Sequence, residues 1–153
     1  MCVLSDGDIE EEIKSGRLVI EPYCAENLTP NGYDLTVGEV FVDGTIVEKG
    51  EVKPHQWFAI STMERVKLPV SLCAQLWLRS SWARKGIICS FGKVDAGFDG
   101  TLTLSAFNAS NSVVLVSRGD RFVQIVFERM CSGAKEDYAK RSGRYQGQRG
   151  VRL

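Results

Sequence analysis

The stretch that decides the fold is "KVDAGFDGTLTLSAFN", residues 93–108, in which a sharp bend precedes an alternating strand. Two glycines fall in the bend, and apolar and polar residues then alternate as far as Asn108. Glycine supplies backbone conformations that other residues avoid, and alternation indicates a strand with one buried face. Asp95 either hydrogen-bonds its own turn or holds a water molecule for attack at phosphorus. Phe98 is either a core residue or a ring that stacks on a sugar or base.

The same alternation continues through most of the chain. The segment "YDLTVGEVFVDGTIVEKGEV", residues 33–52, predicts short strands separated at Gly38, at Asp43-Gly44 and at Gly50. Turn residues recur every 8–12 positions in the segments that follow. This spacing is typical of a sandwich, a jelly roll or a small barrel, so we expect an all-β fold.

One helix is predicted, near the amino terminus. In "LSDGDIEEEIKSGRL", residues 4–18, Ser5 can cap the helix and Asp8 stands where a capping box needs an acid. Ile9 and Ile13 share one face, and Gly16 ends the helix. No second helix is expected.

Length and charge limit the function classes. A chain of 153 residues fits one domain, so residues 1–153 are predicted to form a single unit. The 19 basic and 19 acidic residues balance, which argues against nucleic-acid or membrane binding by the whole protein. Two stretches, residues 79–93 and 135–153, are nevertheless rich in Lys and Arg. Each predicts a local anion site.

The cysteines and the apolar runs point to a cytoplasmic protein. No leader or membrane-spanning run is expected, because the apolar runs are only a few residues long. The five cysteines are widely spaced and contain no CxxC, so we expect reduced thiols that mostly fill the core. A zinc site is not expected, since His55 is the only histidine.

A second candidate site is "LRSSWARKGI", residues 78–87. Two guanidiniums and two hydroxyls fall within six residues there, and both groups bind phosphate well. The alternative is a helix start with capping serines and solvated arginines. The four residues concerned are Arg79, Ser80, Ser81 and Arg84.

Three further features each leave two interpretations open. Asp34 in "NGYDLTVG", residues 31–38, either organises a site or lies on a solvated face. Gln124 in "RGDRFVQIVF", residues 118–127, is either structural or directed at a ligand, because a buried glutamine needs partners. Residues 134–153 are charged and glycine-rich, and we expect a mobile tail. The tail is either disordered or a flap that closes on an anion.

In this order the segments resemble the five motifs of the dUTPase and dCTP deaminase superfamily, over essentially the whole chain. The closest resemblance is to archaeal-type dUTPases, which look like the deaminase branch without its catalytic glutamate. The resemblance implies a distorted jelly roll or β-barrel with a short amino-terminal helix, and a homotrimer with shared active sites. It also implies Mg²⁺ held through substrate phosphates, with no direct protein ligand. The matching segments are "NGYDL", "LRSSWARKGI", "GKVDAGFDGTLTLSAFN", "RGDRFVQIVF" and "RYQGQRGV".

The resemblance implies a role for each residue of the site. Asp95 is expected to be the catalytic base, which activates the water that attacks the α-phosphorus. Phe98 would pack on the deoxyribose, and Asp34 would support the site. The other residues expected to bind substrate are Arg79, Ser80, Ser81, Arg84, Thr103, Leu104, Ser105, Gln124, Tyr138, Arg144 and Gln148.

Ser105 separates the two branches of the superfamily. Deaminases of this type carry a glutamate in the strand after the bend, and alignment by the glycines and Asn108 puts Ser105 there. A serine hydroxyl cannot relay protons at neutral pH as a carboxylate does. The backbone from Thr103 to Ser105 is instead expected to read uracil.

The sequence therefore predicts a dUTP diphosphatase, which hydrolyses dUTP to dUMP and pyrophosphate, keeps uracil out of DNA and supplies dUMP. The alternatives are a dCTP deaminase, mono- or bifunctional, and a non-catalytic deoxynucleotide-binding sensor.

Overall fold

A computed structural model describes residues 2–153, and strands are the main secondary structure. The predicted all-β fold with a short amino-terminal helix is confirmed. All strand pairs are antiparallel. The strands are β1 (Cys2–Val3), β2 (Val19–Glu21), β3 (Leu28–Thr29), β4 (Gly32–Val42), β5 (Thr45–Val47), β6 (Lys49–Val52), β7 (Trp57–Thr62), β8 (Arg65–Lys67), β9 (Leu72–Leu78), β10 (Ile87–Cys89), β11 (Lys93–Val94), β12 (Asp99–Gly100), β13 (Thr103–Asn108), β14 (Val114–Ser117) and β15 (Arg121–Arg129).

The predicted helix is present, and it is capped as expected. The Ser5 side chain accepts from the Asp8 backbone N–H, while the Asp8 carboxylate accepts from the Ser5 backbone N–H at 3.0 Å. Two further helices of four residues each are too short to give a periodic pattern, so the expectation of no second helix was wrong. The helices are α1 (Asp6–Lys14), α2 (Ser80–Ala83) and α3 (Tyr138–Arg141), with a 3₁₀ turn at Ala25–Asn27.

None of the helices within residues 2–153 is long and apolar enough to span a membrane.

One curled sheet dominates the structure. Its strands follow the order β10-β13-β7-β4-β15-β9-β11, with β1 beside β15 and with β3 and β5 beside β4. Two smaller sheets, β12-β8-β2 and β14-β6, complete the fold. The core lies inside the curl, and its largest fully buried side chains include four aromatic residues. They are Tyr33, Phe58, Phe122 and Phe127.

Strand β4 joins the two halves of the sheet. Its first half pairs with β15, and its second half pairs with β7. The register shifts between Val37 and Glu39, which marks an irregularity at Gly38 rather than a strand end. A Cβ on Gly38 would lie 3.0 Å from the Thr62 carbonyl oxygen, so glycine here permits close strand approach.

The predicted turn at Asp43-Gly44 is present, but the two other predicted breaks are not. Asp43 (φ 51°) and Gly44 (φ 77°) both adopt positive φ between β4 and β5, as a type I′ hairpin requires. Gly50, in contrast, lies within β6, where a Cβ would come 2.8 Å from Val40 Cγ1. Gly38 and Gly50 therefore serve packing, and sequence alone did not distinguish this from a turn.

The cysteines are free thiols, but they do not fill the core. Three are exposed and two are partly exposed. The expected burial was wrong, because most of these residues lie at sheet edges and in loops rather than on inward-facing strand positions. The exposed cysteines are Cys2, Cys24 and Cys131, and the partly exposed ones are Cys73 and Cys89.

A buried carboxylate tethers the middle of β4. Glu64 is 2% exposed and accepts from the Thr36 N–H at 2.9 Å and from the Thr36 hydroxyl at 2.7 Å. No cation among residues 2–153 forms a salt bridge with it. Burial raises the pKa of Glu64 above its usual value, and the bonds from Thr36 only partly oppose this.

We predict that Glu64→Gln stabilises the protein at alkaline pH and has little effect near pH 4. Because the folded-state pKa of Glu64 is raised, the native state binds more protons than the unfolded state above the usual pKa of 4.5. The stability of the wild type therefore falls as pH rises, whereas glutamine is neutral throughout. Each unit by which the pKa is raised lowers the free energy of unfolding at alkaline pH by about 1.4 kcal/mol. Urea unfolding at several pH values measures the effect.

The exposed Glu51→Gln on β6 is the control, and it should leave the pH dependence of stability unchanged. Equal stability of Glu64→Gln and wild type across the whole pH range would refute the prediction.

Asn108 at the end of β13 joins two other segments, residues 52–53 and 110–112. It is fully buried, and its amide donates to the carbonyls of Val52 at 3.0 Å, Lys53 at 3.1 Å and Ser112 at 2.8 Å. Its Oδ1 accepts from the N–H of Ser110 at 3.0 Å and from the hydroxyl at 2.7 Å. The end of β13 therefore depends on a side chain that both donates and accepts.

We predict that Asn108→Asp lowers the free energy of unfolding by about 2–4 kcal/mol at neutral pH. Aspartate has the same shape, but it places an oxygen against three carbonyl oxygens and leaves them without a donor. Chemical denaturation measures the loss. Asn111→Asp, an exposed change in the same loop, is the matched control and should cost less than about 0.5 kcal/mol.

Candidate functional site

The predicted site residues divide between two cavities that share no lining residue. We call them the turn cavity, of about 380 Å³, and the arginine cavity, of about 320 Å³. The predicted residues at the turn cavity are Asp95, Phe98, Thr103, Leu104, Ser105, Tyr138 and Gln148. Those at the arginine cavity are Asp34, Arg79, Ser80 and Gln124. Ser81, Arg84 and Arg144 are exposed and line neither of the two.

Asp95 begins a tight turn at the mouth of the turn cavity. The Phe98 N–H donates to the Asp95 backbone carbonyl at 3.1 Å, and Gly97 has a φ of 83°. A hydrogen bond across four residues with positive φ at the third is the pattern of a type II turn. The Asp95 carboxylate makes none of the side-chain hydrogen bonds of residues 2–153 and is exposed at the cavity. The turn is therefore closed by backbone, which leaves the carboxylate free to act on a ligand.

Phe98 forms the buried floor of this turn. It is 5% exposed, and its ring meets the Tyr138 ring edge-on, with centroids 5.5 Å apart and an interplanar angle of 71°. Its carbonyl accepts from the Leu68 N–H at 3.0 Å. Phe98 is thus a core residue that also lines the cavity, so the two interpretations of this ring are compatible.

Strand β13 presents an unpaired edge to the turn cavity. The backbone groups of Leu102 and Asn108 bond toward the β7 side, and backbone groups alternate sides along a strand. Those of Thr103 and Ser105 therefore point the other way. On that side β10 covers β13 only from Ala106 to Asn108. This is the exposed strand edge where the sequence predicts base recognition, and recognition itself stays a prediction.

Gln148 brings an unsatisfied acceptor to the same cavity. The side chain is buried, with 7% of the residue exposed, and its Nε2 donates to the Thr101 carbonyl at 2.6 Å. Because that carbonyl can only accept, the amide orientation is determined. The Oε1 atom is buried and has no hydrogen-bond partner. A buried acceptor without a partner is costly, so this oxygen is suited to an N–H of a ligand.

Three neighbouring strands build the arginine cavity. Asp34 on β4 lies opposite Gln124 on β15, which in turn lies opposite Trp77 on β9. Asp34 Oδ2 lies 3.0 Å from Arg79 Nε and 3.9 Å from Arg121 Nη1. Gln124 is therefore flanked by an acid that is already paired with two arginines.

Asp34 is 3% exposed, so it does not lie on a solvated face. Burial raises the pKa of Asp34 above its usual value, and the guanidiniums of Arg79 and Arg121 oppose this rise. The main consequence is geometric. The buried carboxylate holds one edge of the Arg79 guanidinium and leaves its other N–H groups for an anion.

Segment 78–87 is a helix start, as one interpretation supposed, but its serines do not cap it. Arg79 is the N-cap residue of α2, and no side chain makes a capping hydrogen bond. Trp82 anchors the helix by donating to the Arg121 carbonyl at 2.8 Å. Ser80 and Ser81 are exposed, so their hydroxyls are accessible to a ligand.

The tail is folded against the body, although its composition predicts mobility. The Tyr138 N–H donates to the Ala96 carbonyl at 2.9 Å, and the Gly147 N–H donates to the Asp99 carbonyl at 2.7 Å. Most of these contacts use backbone groups, which composition does not reveal. Closure of the tail on a ligand stays a prediction.

Sequence reasoning missed residues that join the tail to the turn. Tyr145 lines the turn cavity, and the Gln146 amide contacts the backbone of residues 97 and 99. Arg65 forms two hydrogen bonds to Asp99. An aromatic residue within the glycine-rich closing motif was the available signal for Tyr145, whereas nothing in the sequence pairs Arg65 with Asp99.

Comparison with known proteins identifies relatives. A family model described as dCTP deaminase-like matches residues 47–130. A dCTP deaminase from Thermococcus gammatolerans is 45% identical over 99% of this chain and 95% of its own length. A probable deoxyuridine 5'-triphosphate nucleotidohydrolase from Sulfolobus islandicus rod-shaped virus 1 is 36% identical over 99% and 97%. Among solved structures, a deaminase from Agrobacterium tumefaciens superposes with a TM-score of 0.72, at 22% identity, over 84% of this chain and 48% of that one.

The relatives named dCTP deaminase contradict dUTP hydrolysis as the principal function, although the viral relative is named for that hydrolysis. The Thermococcus relative matches this chain over nearly its whole length and is named a dCTP deaminase, which was the alternative. The names also fail to support the inference that Ser105 excludes deamination. The resemblance to the dUTPase and dCTP deaminase superfamily is confirmed, and within that superfamily the chain belongs to the dCTP deaminase-like family.

Proposed function

We propose that the protein deaminates dCTP to dUTP in the turn cavity. The names of the relatives supply the reaction, and the buried, unpartnered Oε1 of Gln148 is the structural observation that supports it. Cytosine carries an amino group at C4, which donates hydrogen bonds, whereas uracil carries an acceptor oxygen at that position. An orphaned acceptor that meets the substituent at C4 therefore favours cytosine.

The open edge of β13 would hold the remaining polar atoms of the base. The N–H and C=O of Thr103 and Ser105 face this edge, as derived from the register with β7. Together with Gln148 they offer both donors and acceptors in fixed positions. Such a set discriminates strongly, because a wrong base leaves buried groups unpaired.

Asp95 would move the protons of the reaction. Deamination adds water to C4 and releases ammonia. Asp95 is the only carboxylate among the described residues that line the turn cavity. It would carry one proton of the attacking water to N3 of the ring, and then carry the hydroxyl proton of the adduct to the departing amino group, so that dCTP and water give dUTP and ammonia. The exposed Ser105 hydroxyl would hydrogen-bond the water or the base during this step.

The sugar and the triphosphate would use the other predicted residues. The buried ring of Phe98 offers an apolar surface for a deoxyribose. Arg79 and Ser80 at the arginine cavity would bind phosphate oxygens, with Ser81, Arg84, Tyr138 and Arg144 as further candidate contacts from α2 and the tail. Arginine suits this role because its fork binds two oxygens at once.

Mg²⁺ would enter with the triphosphate and neutralise part of its charge. The arginine cavity is compatible with an ion that keeps its waters. Asp34 is occupied by Arg79, and Gln124 donates its Nε2 to the Thr29 hydroxyl at 2.8 Å. The Oε1 of Gln124 then remains to accept from a water of the ion.

The arrangement of the two cavities is compatible with a site built from more than one chain. They share no lining residue, although a third cavity of about 540 Å³ borders both at residues 76–78, and one nucleotide needs both a base site and a phosphate site. A homotrimer, as the superfamily resemblance implies, would bring the turn cavity of one copy to the arginine cavity of another. Exposed Trp77 (58%) and Ile88 (56%) supply apolar surface for such a contact.

We predict that the purified protein with Mg²⁺ converts dCTP to dUTP and ammonia, and that Asp95→Asn slows this by about 10²–10⁴-fold. Asparagine keeps the shape of the side chain but cannot accept the proton, so dCTP binding should change little. Product analysis by chromatography and an ammonia assay measure turnover. The exposed Asp43→Asn in the β4–β5 turn is the control and should keep full activity.

Release of dUMP and pyrophosphate from dUTP, with dCTP left unchanged, would contradict the proposed reaction. Binding of both nucleotides without any turnover would contradict it equally and would support a sensor.

We also predict that Gln148→Leu reduces the preference for dCTP over dUTP by about 10-fold, because one buried hydrogen bond to the base is lost. Dissociation constants are best compared in the Asp95→Asn background, where turnover does not interfere. Gln75→Leu, which removes a glutamine paired with Glu128 at 2.6 Å on the main sheet, is the matched control. An unchanged ratio of the two constants in the Gln148 variant would remove this residue from base recognition.

A further inference from the structure

The tail supplies several hydrogen bonds to the stretch that carries Asp95, in addition to the bond that closes the turn and the pairing of β12 with β8. Within residues 95–101, the only bond across the turn itself joins the Phe98 N–H to the Asp95 carbonyl. The tail supplies partners for four other residues of this stretch, at 2.6 to 3.1 Å. Those residues are Ala96, Gly97, Asp99 and Thr101, and their partners are Tyr138, Gln146, Gly147 and Gln148.

Gln146 makes the most specific of these contacts. Its Nε2 donates to the Gly97 carbonyl at 3.1 Å, and its Oε1 accepts from the Asp99 N–H at 3.1 Å. One side-chain amide thus pairs with two backbone groups on either side of Phe98. We call this pair of hydrogen bonds the Gln146 clamp. The neighbouring Gly147 N–H adds a bond of 2.7 Å to the Asp99 carbonyl.

An ion pair orients Asp99, whose backbone N–H donates to Gln146. Arg65 Nε and Nη2 donate to the two Asp99 carboxylate oxygens at 2.6 and 2.7 Å. Arg65 lies on β8 and Asp99 on β12, which are paired strands of the same small sheet. A two-point arginine–carboxylate pair has a defined geometry. Asp99 therefore has its side chain fixed on one side and its backbone presented to the tail on the other.

Close packing makes this docking sensitive to small displacements. A Cβ on Gly97 would lie only 2.5 Å from Asp137 Cβ, and one on Gly100 would lie 3.1 Å from the Gln148 nitrogen. The tail backbone thus lies against the turn without room for a side chain between them.

We propose that Gln146, Arg65 and Asp99 are positioning residues. Through the Gln146 clamp and the Arg65–Asp99 pair, they make the conformation of the Asp95 turn depend on the docking of the tail. This inference rests on the proposed function for its catalytic consequence only. A docked tail fixes Asp95 against the base at the open edge of β13. An undocked tail leaves the backbone groups of Ala96, Gly97, Asp99 and Thr101 that it bonds without those partners, and Asp95 loses its fixed position.

Residue-resolved amide hydrogen exchange tests the coupling without any activity. In Gln146→Leu, the amides of Asp99, Gly147 and Thr101 should exchange about 10-fold faster, since loss of the clamp favours the undocked tail. Arg141→Gln is the matched control in the same tail, because exposed Arg141 pairs only with Glu136 at 3.3 Å. It should leave these three amides protected. Unchanged exchange in Gln146→Leu would overturn the proposal.

The ion pair is tested by a second comparison. Asp99→Asn should speed exchange of the same amides, whereas Glu21→Gln, which removes the other and more exposed partner of Arg65 at 3.5 Å, should not. The double variant Gln146→Leu with Asp99→Asn should show less than the sum of the two single changes in free energy, because both groups hold Asp99 and loss of one weakens the contact that the other makes. Strict additivity would show that the two groups act separately and would overturn the coupling.

Gln146→Glu provides a pH readout that a purely structural role would not give. A protonated carboxyl offers one donor to Gly97 and one acceptor to Asp99, as the amide does, whereas a carboxylate offers no donor. Docking should therefore be restored as pH falls through the pKa of the new glutamate. The charged groups nearby are Asp137, which lies against Gly97, and Asp99 with the three cations that lower its pKa: Arg65, Lys67 and Arg149. Protection that does not recover at low pH would count against the clamp.

Turnover then separates this inference from the proposed function. With dCTP, Gln146→Leu should lower kcat/KM by about 10-fold, in step with the loss of amide protection, and Arg141→Gln should stay within about twofold of wild type. Absence of dCTP turnover in the wild type would refute the proposed reaction, while the exchange data would still decide the coupling. Lost protection with unchanged kcat/KM would overturn the positioning role.

Discussion

The site depends on strand β4, which is paired with β15 along its first half and with β7 along its second half. The first pairing places Asp34 beside Gln124 and so supports Arg79. The second pairing places β7 next to β13, whose other edge faces the turn cavity. A single continuous strand thus helps to set the relative arrangement of the two cavities. The shift in register at Gly38 is what allows one strand to serve both neighbours.

Backbone groups, more than side chains, define the turn cavity. The type II turn after Asp95, the free edge at Thr103 and Ser105, and the docked tail are all matters of where N–H and C=O groups point. Side chains then complete the chemistry at a few positions. Asp95 offers a carboxylate, and Gln148 offers an acceptor that no residue from 2 to 153 satisfies. A cavity of this kind suits a flat, polar ring, since its hydrogen-bonding groups are held by the sheet and cost little to arrange.

The sequence predicts the features that depend on local chemistry. The capped helix, the Asp43-Gly44 turn and the alternating strands follow from residue type and spacing, and the structure contains them. Asp95 and Phe98 were also selected correctly as residues of one bend, because a carboxylate and an aromatic beside two glycines are unusual in a simple turn. Features that depend on distant contacts were missed. Gly38 and Gly50 meet other strands, the tail bonds to the turn, and Asp99 pairs with a residue 34 positions away. The choice of reaction failed for a related reason, since it rested on one serine, whereas the relatives match nearly the whole chain.

Gly97 has a consequence for how such a protein can change over evolutionary time. Its φ of 83° excludes most side chains for conformational reasons, and its 2.5 Å clearance to the tail excludes them again for steric reasons. The two restrictions are independent, so relaxing one does not relax the other. A lineage that replaced this glycine would have to alter the turn and relocate the tail in the same step. The sequence of the loop that bears Asp95 and the sequence of the terminal segment are therefore expected to change together during evolution. This holds even though some forty residues separate the two along the chain.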